Sequence, residues 1–206
     1  MNNVATYRPK RLFFQGNSLI DTDANHVVNN QKYTTFKIYT DIKGSYHGLC
    51  LFDYSISGQN QEQINTKMTT QFNSSTINKG DVVLNMEGLN NLWAFPSKTA
   101  QQSFDQMQLW VNHVKQFTDK ILICTVSATT ISGDVNDVFG RSQTYNQLLR
   151  DNLVDATLID IAADSVFATQ AATNNTTYYD TDKVHWKQGG MDRFITLVTP
   201  YITAIL

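Results

Sequence analysis

Apolar residues along this chain fall into short dense runs, separated by longer stretches in which they recur every three or four positions. The first run, Arg11-Leu12-Phe13-Phe14, predicts a short buried strand leading into the turn Gln15-Gly16-Asn17-Ser18. Leu19 to Gln31 is largely polar and predicts a loop over the sheet edge, after which Phe36, Tyr39 and Ile42 mark a helix from Tyr33 to Ile42. Gly48 to Ile56 reads as a second strand ending at Ser57-Gly58-Gln59, and Ile64, Met68 and Phe72 form one face of a second helix. Asp81 to Met86 is a third strand, closed by Glu87-Gly88-Leu89-Asn90-Asn91. Pro96-Ser97 opens a longer helix, with Ser97 as the expected N-cap and Phe104, Met107, Val111, Val114 and Phe117 as its apolar face. Ile121 to Val126 is the fourth strand, followed by a polar loop from Ser127 to Ser142 and a short helix from Tyr145 to Asn152. Ala156 to Ile161 is the fifth strand. A polar stretch from Ala171 to Thr181 then reaches Asp182-Lys183-Val184-His185, and a last helix runs from about Gly190 to the end, where Pro200 is expected to kink or split it.

Strands alternating with helices, several of them near-continuous apolar runs, are the pattern of an α/β fold whose parallel sheet is covered on both faces. Sites in such folds form where strands end. The turns after the first three strands hold Ser18, Gly58 and Asn90, and His185 lies between the last strand and the last helix, so four separate segments can converge on one rim. At 206 residues the chain is expected to be one domain over 1–206, large enough to bury a core without staples. A net charge of −2 with no basic run removes the electrostatic term that nucleic-acid binding requires. Cys50 and Cys124 sit in apolar runs and read as small hydrophobes, with neither a disulfide framework nor metal spacing. Met1 to Thr6 has no apolar core, so no signal peptide is expected, and the run from Phe194 to Leu206 is too short and too rich in threonine to span a bilayer. The expectation is a soluble protein that works in the cytoplasm or reaches a virion or the exterior by a signal-independent route.

A serine hydroxyl attacks only when a base takes its proton. Two histidines have an aspartate three residues ahead: His185 with Asp182, and His26 with Asp23. His26 follows Ser18 too closely in the chain, whereas His185 belongs to a separate rim segment that can face the serine, so His185 is preferred as base. Asp182 can then fold back on the ring, fix its tautomer and stabilise the imidazolium. An oxyanion formed at an ester carbonyl needs two or three donors, each worth roughly 2.7–4 kcal/mol. The backbone N–H groups of Ser18 and Gly58 and the side-chain amide of Asn90 can supply them.

With those residues in view, the chain resembles an SGNH hydrolase of the GDSL type. Gly16-Asn17-Ser18 matches the family's Gly-Asp-Ser block, Gly58 the lone glycine, Gly88-Leu89-Asn90-Asn91 the Gly-x-Asn-Asp block and Asp182-Lys183-Val184-His185 the Asp-x-x-His block, in order and over nearly the full length. The resemblance implies Ser18 as nucleophile, Asp182 and His185 as its partners, and Ser18, Gly58 and Asn90 as the oxyanion hole. It also implies a flavodoxin-like three-layer α/β/α sandwich on a five-stranded parallel sheet, and no cofactor. Asn17 and Asn91 stand where the family has aspartates, and Trp186 where it usually has proline. Those departures touch supporting positions, and they motivate a rival reading, a glycan-binding module that has lost turnover. There is no Gly-x-Ser-x-Gly elbow, which argues against the α/β-hydrolase family, and no glycine-rich phosphate cradle for a nucleotide binder.

Trp93 and Phe95 follow the third block and are candidates for the substrate wall, with core packing as the alternative; Trp186 is a candidate for stacking on a sugar. His26, His47 and His113 read as surface or satisfied histidines, and Arg141 as a solvated arginine rather than an anion contact. The family includes lipases, thioesterases, esterases and carbohydrate deacetylases. A surface rich in Asn, Gln and Thr, with no long apolar lid, favours a small acyl group such as acetyl on a carbohydrate or other polar alcohol. That substrate would suit a phage tail or another glycan-handling assembly; a longer acyl chain is the alternative.

Overall fold

The central strands are mostly apolar because both of their faces are covered. Strand β1 (Arg11–Gly16) buries Leu12, Phe13 and Phe14, and β5 (Val82–Met86) is buried at every position. The computed structural model describes residues 9–19, 27–28, 31–46, 48–93, 97–132 and 134–206. With β4 (Cys50–Asp53), β6 (Ile121–Cys124) and β7 (Thr157–Ile159) these strands form one five-stranded sheet in the order β4-β1-β5-β6-β7. Every pairing in it is parallel, for example Phe13 beside Phe52 on one side and Val83 on the other. In sequence order of these five strands this is the flavodoxin-like 2-1-3-4-5 arrangement, whose direction of winding reverses between β1 and β5.

Helix α1 (Tyr33–Lys43) packs with α6 (Gln188–Ile205), while α2 (Gln61–Gln71), α4 (Ala100–Val114) and α5 (Val138–Asn152) pack in a row, so the sheet is sandwiched between two helical layers. An aromatic cluster joins sheet to helices: Phe13 stacks on Phe52 at 4.7 Å, and Phe72 meets Tyr54 at 5.7 Å and Trp110 at 5.5 Å, both edge-on. At the far rim of the sheet, Arg11 forks onto Asp81 and ties the starts of β1 and β5 together.

Several element boundaries differ from the sequence reading. Polar Leu19 to Gln31 was expected to be loop, yet β2 (Val27–Val28) and β3 (Gln31–Lys32) form a small antiparallel pair there. The turn after β5 contains a short helix, α3 (Leu89–Trp93). The helix expected to open at Ser97 starts instead after Thr99, which forms a reciprocal capping box with Gln102. Phe117, placed on that helix's face, lies beyond its end. Helix α5 begins well before Tyr145, because the Asp137 side chain caps it from a left-handed backbone, φ 49°. Pro200 does not split α6, which runs unbroken to Ile205. The proline is on the solvent side, and buried Phe194, Ile195, Val198 and Ile202 hold the helix to the core. Among the described residues no helix is long and apolar enough to cross a membrane, and no three metal-ligating side chains cluster.

Candidate active site

The chain leaves β1 through Gly16 and turns at once. The Asn17 side-chain oxygen accepts the Leu19 N–H at 3.0 Å, closing an Asx turn with Ser18 at its corner. Ser18 is half-buried, and its Oγ lies 2.9 Å from Nε2 of His185. The other ring nitrogen, Nδ1, lies 2.5 Å from one oxygen of Asp182. The second Asp182 oxygen accepts the backbone N–H groups of Val184 and His185, each at 2.9 Å. Between them Lys183 takes a left-handed conformation, φ 58°, which turns the chain back so that one carboxylate reaches both backbone and ring.

This segment is pinned from behind. The Asp180 N–H donates to the His185 carbonyl and the Lys187 N–H to the Tyr178 carbonyl, both at 2.9 Å, with Tyr179 bridged to Trp186. The Trp186 ring then packs against Phe167 at 4.8 Å and Phe194 at 5.3 Å. Gly190 lets α6 start directly against this hairpin, since a Cβ there would collide with the Tyr178 carbonyl and lie 2.9 Å from the Trp186 Cβ.

Partial burial acts most strongly on Asp182 and raises its pKa. Hydrogen bonds from the His185 ring and from the N–H groups of Val184 and His185 outweigh it and hold the carboxyl below its ordinary range. An ionised Asp182 only accepts, so Nδ1 must carry the ring proton. In the neutral ring Nε2 is then an acceptor, and the Ser18 hydroxyl donates to it. That arrangement can take a proton from an attacking serine oxygen.

The opposite rim is built by the turns after β4 and β5. The Ile56 N–H and the Gln59 side-chain amide both donate to the Gly16 carbonyl, at 3.1 and 2.8 Å, stitching the Gly58 turn to the exit of β1. Gly58 has φ +76°, a conformation that glycine adopts without strain. Neither the Ser18 nor the Gly58 N–H has an acceptor among the described residues. The Asn90 side-chain amide donates to the Gln59 carbonyl at 2.9 Å, and the second hydrogen of that NH2 group remains for a ligand. Asn91 accepts the Gln61 N–H at the start of α2, at 2.9 Å.

The structure thus brings Ser18, His185 and Asp182 into one hydrogen-bonded line, and stitches the Gly58 and Asn90 turns to the β1 exit. It does not bring Trp186 to the surface: the ring is 5% exposed and belongs to the core, so the sugar-stacking expectation is corrected. The Trp186 ring instead anchors the His185 hairpin to the core. Trp93 is exposed at the end of α3, while Phe95, His26 and His47 lie outside the described residues. His113 bonds the Phe72 carbonyl at 2.8 Å, and Arg141 is engaged by Ser97 at 2.9 Å rather than simply solvated. The sequence reading missed Glu87, which is fully buried, hydrogen-bonds Asn17, and accepts the Asn90 N–H at 3.1 Å. Its signal was an acidic residue directly at the end of a mostly apolar, fully buried strand.

No family model and no curated protein sequence matches the chain. Solved structures do. A lipase/acylhydrolase from Enterococcus faecalis superposes with a TM-score of 0.71 at 11% identity, over 95% of this chain and 96% of that one. An acetyl xylan esterase from Geobacillus stearothermophilus gives 0.68 at 15% identity, over 94% of each chain. A GDSL-like lipase from Bacteroides thetaiotaomicron gives 0.68 at 15% identity, over 96% of this chain and 89% of the other. What this chain shares with GDSL-type lipases, acylhydrolases and acetyl xylan esterases is therefore the SGNH-hydrolase fold, over nearly its whole length.

Proposed function

We propose that the protein is a serine ester hydrolase working through an acyl-enzyme. The observation that carries this reading is the line Ser18 Oγ, His185 Nε2, His185 Nδ1, Asp182, with contacts of 2.9 and 2.5 Å. Ser18 attacks the acyl carbonyl while His185 accepts its proton, Asp182 holds the tautomer and stabilises the imidazolium, and the proton passes to the leaving alcohol. Water then repeats the sequence on the acyl-serine and releases the acid. The N–H groups of Ser18 and Gly58 and the free hydrogen of the Asn90 amide receive the oxyanion. Asn17 and Asn91 remove no group from this scheme.

The substrate we propose is a small acyl ester, such as O-acetyl, of a carbohydrate or other polar alcohol. Beside Gly58 runs an open groove of about 380 Å³ lined by Ile56, Ser57, Gln59, Gln63, Thr66 and Lys67. Its hydroxyl, amide and ammonium groups suit an alcohol rich in hydrogen-bonding groups better than a long acyl chain. The acetyl xylan esterase among the similar structures supports the same class. The test is acetate release from a panel of acetylated glycans, beside aryl esters of increasing acyl length. Acetate release that Ser18→Ala abolishes is the expected result. Preference for long acyl chains would overturn the substrate, and glycan binding without any hydrolysis would overturn the enzyme. Because His185 must be neutral to act as base, hydrolysis falls on acidification; a rate flat through the acid range contradicts its role.

A further inference from the structure

Between β1 and β5, where the sheet's winding reverses, one carboxyl touches both rims of the site. Glu87 follows β5 directly and is fully buried. One of its oxygens accepts from the side-chain amide of Asn17, whose own oxygen holds the Leu19 N–H and so shapes the Ser18 turn. The other accepts the Asn90 N–H at 3.1 Å, and the N–H groups of Gly88 and Asn91 also bond to the carboxyl. Each of these partners donates. The ionisable side chain that acts on it from another packed element is Tyr145 of α5, whose hydroxyl donates to the Glu87 carbonyl at 3.2 Å.

We propose that Glu87 is a positioning residue that braces the Ser18 turn against the Asn90 turn, carrying on the facing strand end the acidic group that the SGNH pattern puts at position 17. The turn that presents the hydroxyl and the turn that presents the amide are thereby held at one separation by one side chain. Asn17 supplies the amide and Glu87 the carboxyl of one hydrogen bond between the two rims. This role rests on the catalytic reading above.

The two groups can be exchanged. Asn17→Asp alone sets carboxyl against carboxyl, which raises the Glu87 pKa further, so that one shared proton can rejoin the pair. Glu87→Gln alone sets an amide NH2 against either the Asn17 NH2 or the Asn90 N–H, leaving a buried donor unpaired. In the double variant no anion is needed on the β5 side. The new amide there donates through its NH2 group to the new carboxylate beside Ser18, and its oxygen accepts from the Asn90 N–H. Measurements belong at about pH 9, above the Glu87 pKa of about 8, where the carboxylate form accepts from every donor. The readouts are the rate of Ser18 labelling by a fluorophosphonate and kcat and KM on an acetyl ester.

Glu87→Gln alone should lose about tenfold or more in kcat and labelling rate with KM changed much less, Asn17→Asp should lose less because of the shared proton, and the double should recover to within about threefold of the wild type. A purely structural role would cost the single variants stability without lowering kcat or labelling rate per folded molecule. Equal labelling in all four proteins, or a double variant as slow as the singles, overturns the brace. Labelling in none of them overturns the catalytic reading instead. The brace is then decided by backbone amide hydrogen exchange at Asn90: slow in the wild type and double and fast in Glu87→Gln supports it, and equal exchange in all four refutes it.

Discussion

Replacing Glu87 by glutamine should change the way stability depends on pH. Burial raises the Glu87 pKa from 4.5 to about 8, against the hydrogen bonds from Gly88, Asn17, Asn90 and Asn91 that lower it. The unfolded chain returns this carboxyl to water. Between those two values the folded protein therefore holds a proton that the unfolded chain has released, and stability falls as pH rises. The contribution is complete below pH 4.5 and is lost as pH climbs through about 8. That interval, at about 1.36 kcal/mol per pH unit, amounts to about 5 kcal/mol. The whole stability of a domain is only about 5–15 kcal/mol, so the effect is large enough to read. Urea unfolding of the wild type and Glu87→Gln from about pH 5 to about pH 9 measures it, because groups shared by the two proteins cancel in the difference. The wild type should lose several kcal/mol relative to the variant across the range. A difference constant to within about 0.5 kcal/mol would mean that the carboxyl titrates normally, and the buried-carboxyl argument would fail.

Other perturbations test separate parts of the molecule. Asn90→Ala should lower kcat by about 10²–10³-fold, if its amide receives the oxyanion, and cost about 1–3 kcal/mol of stability because the Gln59 carbonyl loses its donor; steady-state kinetics beside thermal melts separate the two effects. Trp186→Ala should destabilise by about 3–5 kcal/mol in urea unfolding, since the ring fills the core between Phe167 and Phe194; a stable variant with only a raised KM would restore the sugar-stacking role. Gly190→Ala should cost about 1–3 kcal/mol in the same assay, because the new methyl meets the Tyr178 carbonyl and Trp186; an unchanged midpoint would show that α6 can shift away freely.

The sheet was legible in the sequence because its central strands are buried on both faces, so Val82-Val83-Leu84 and Ile121-Leu122-Ile123 stand out as unbroken apolar runs. The residues that meet at Ser18 were legible for another reason. Serine, histidine and aspartate had to lie at strand ends and at one short spacing, and the resemblance supplied the order of the blocks. What stayed hidden depends on contacts rather than on pattern. Trp186 beside the histidine looks like a pocket residue until the hairpin from Tyr178 to Lys187 turns it inward. The start of α5 was obscured because Asp134 and Asp137 resemble loop residues, although their carboxylates accept the Val138 and Gly140 N–H groups. Pro200 argued for a break, and tertiary burial of the opposite helical face overrode it. Glu87 left only one acidic letter in the sequence, and its meaning required knowing that Asn17 lies across from it.

Peptide mapping after reaction with a fluorophosphonate addresses the reacting group itself. A single adduct on Ser18 is expected, absent from Ser18→Ala and strongly slowed in His185→Ala. An adduct on another residue, or labelling that survives the loss of either side chain, would show that the hydroxyl at the end of β1 is not activated by the imidazole 2.9 Å away.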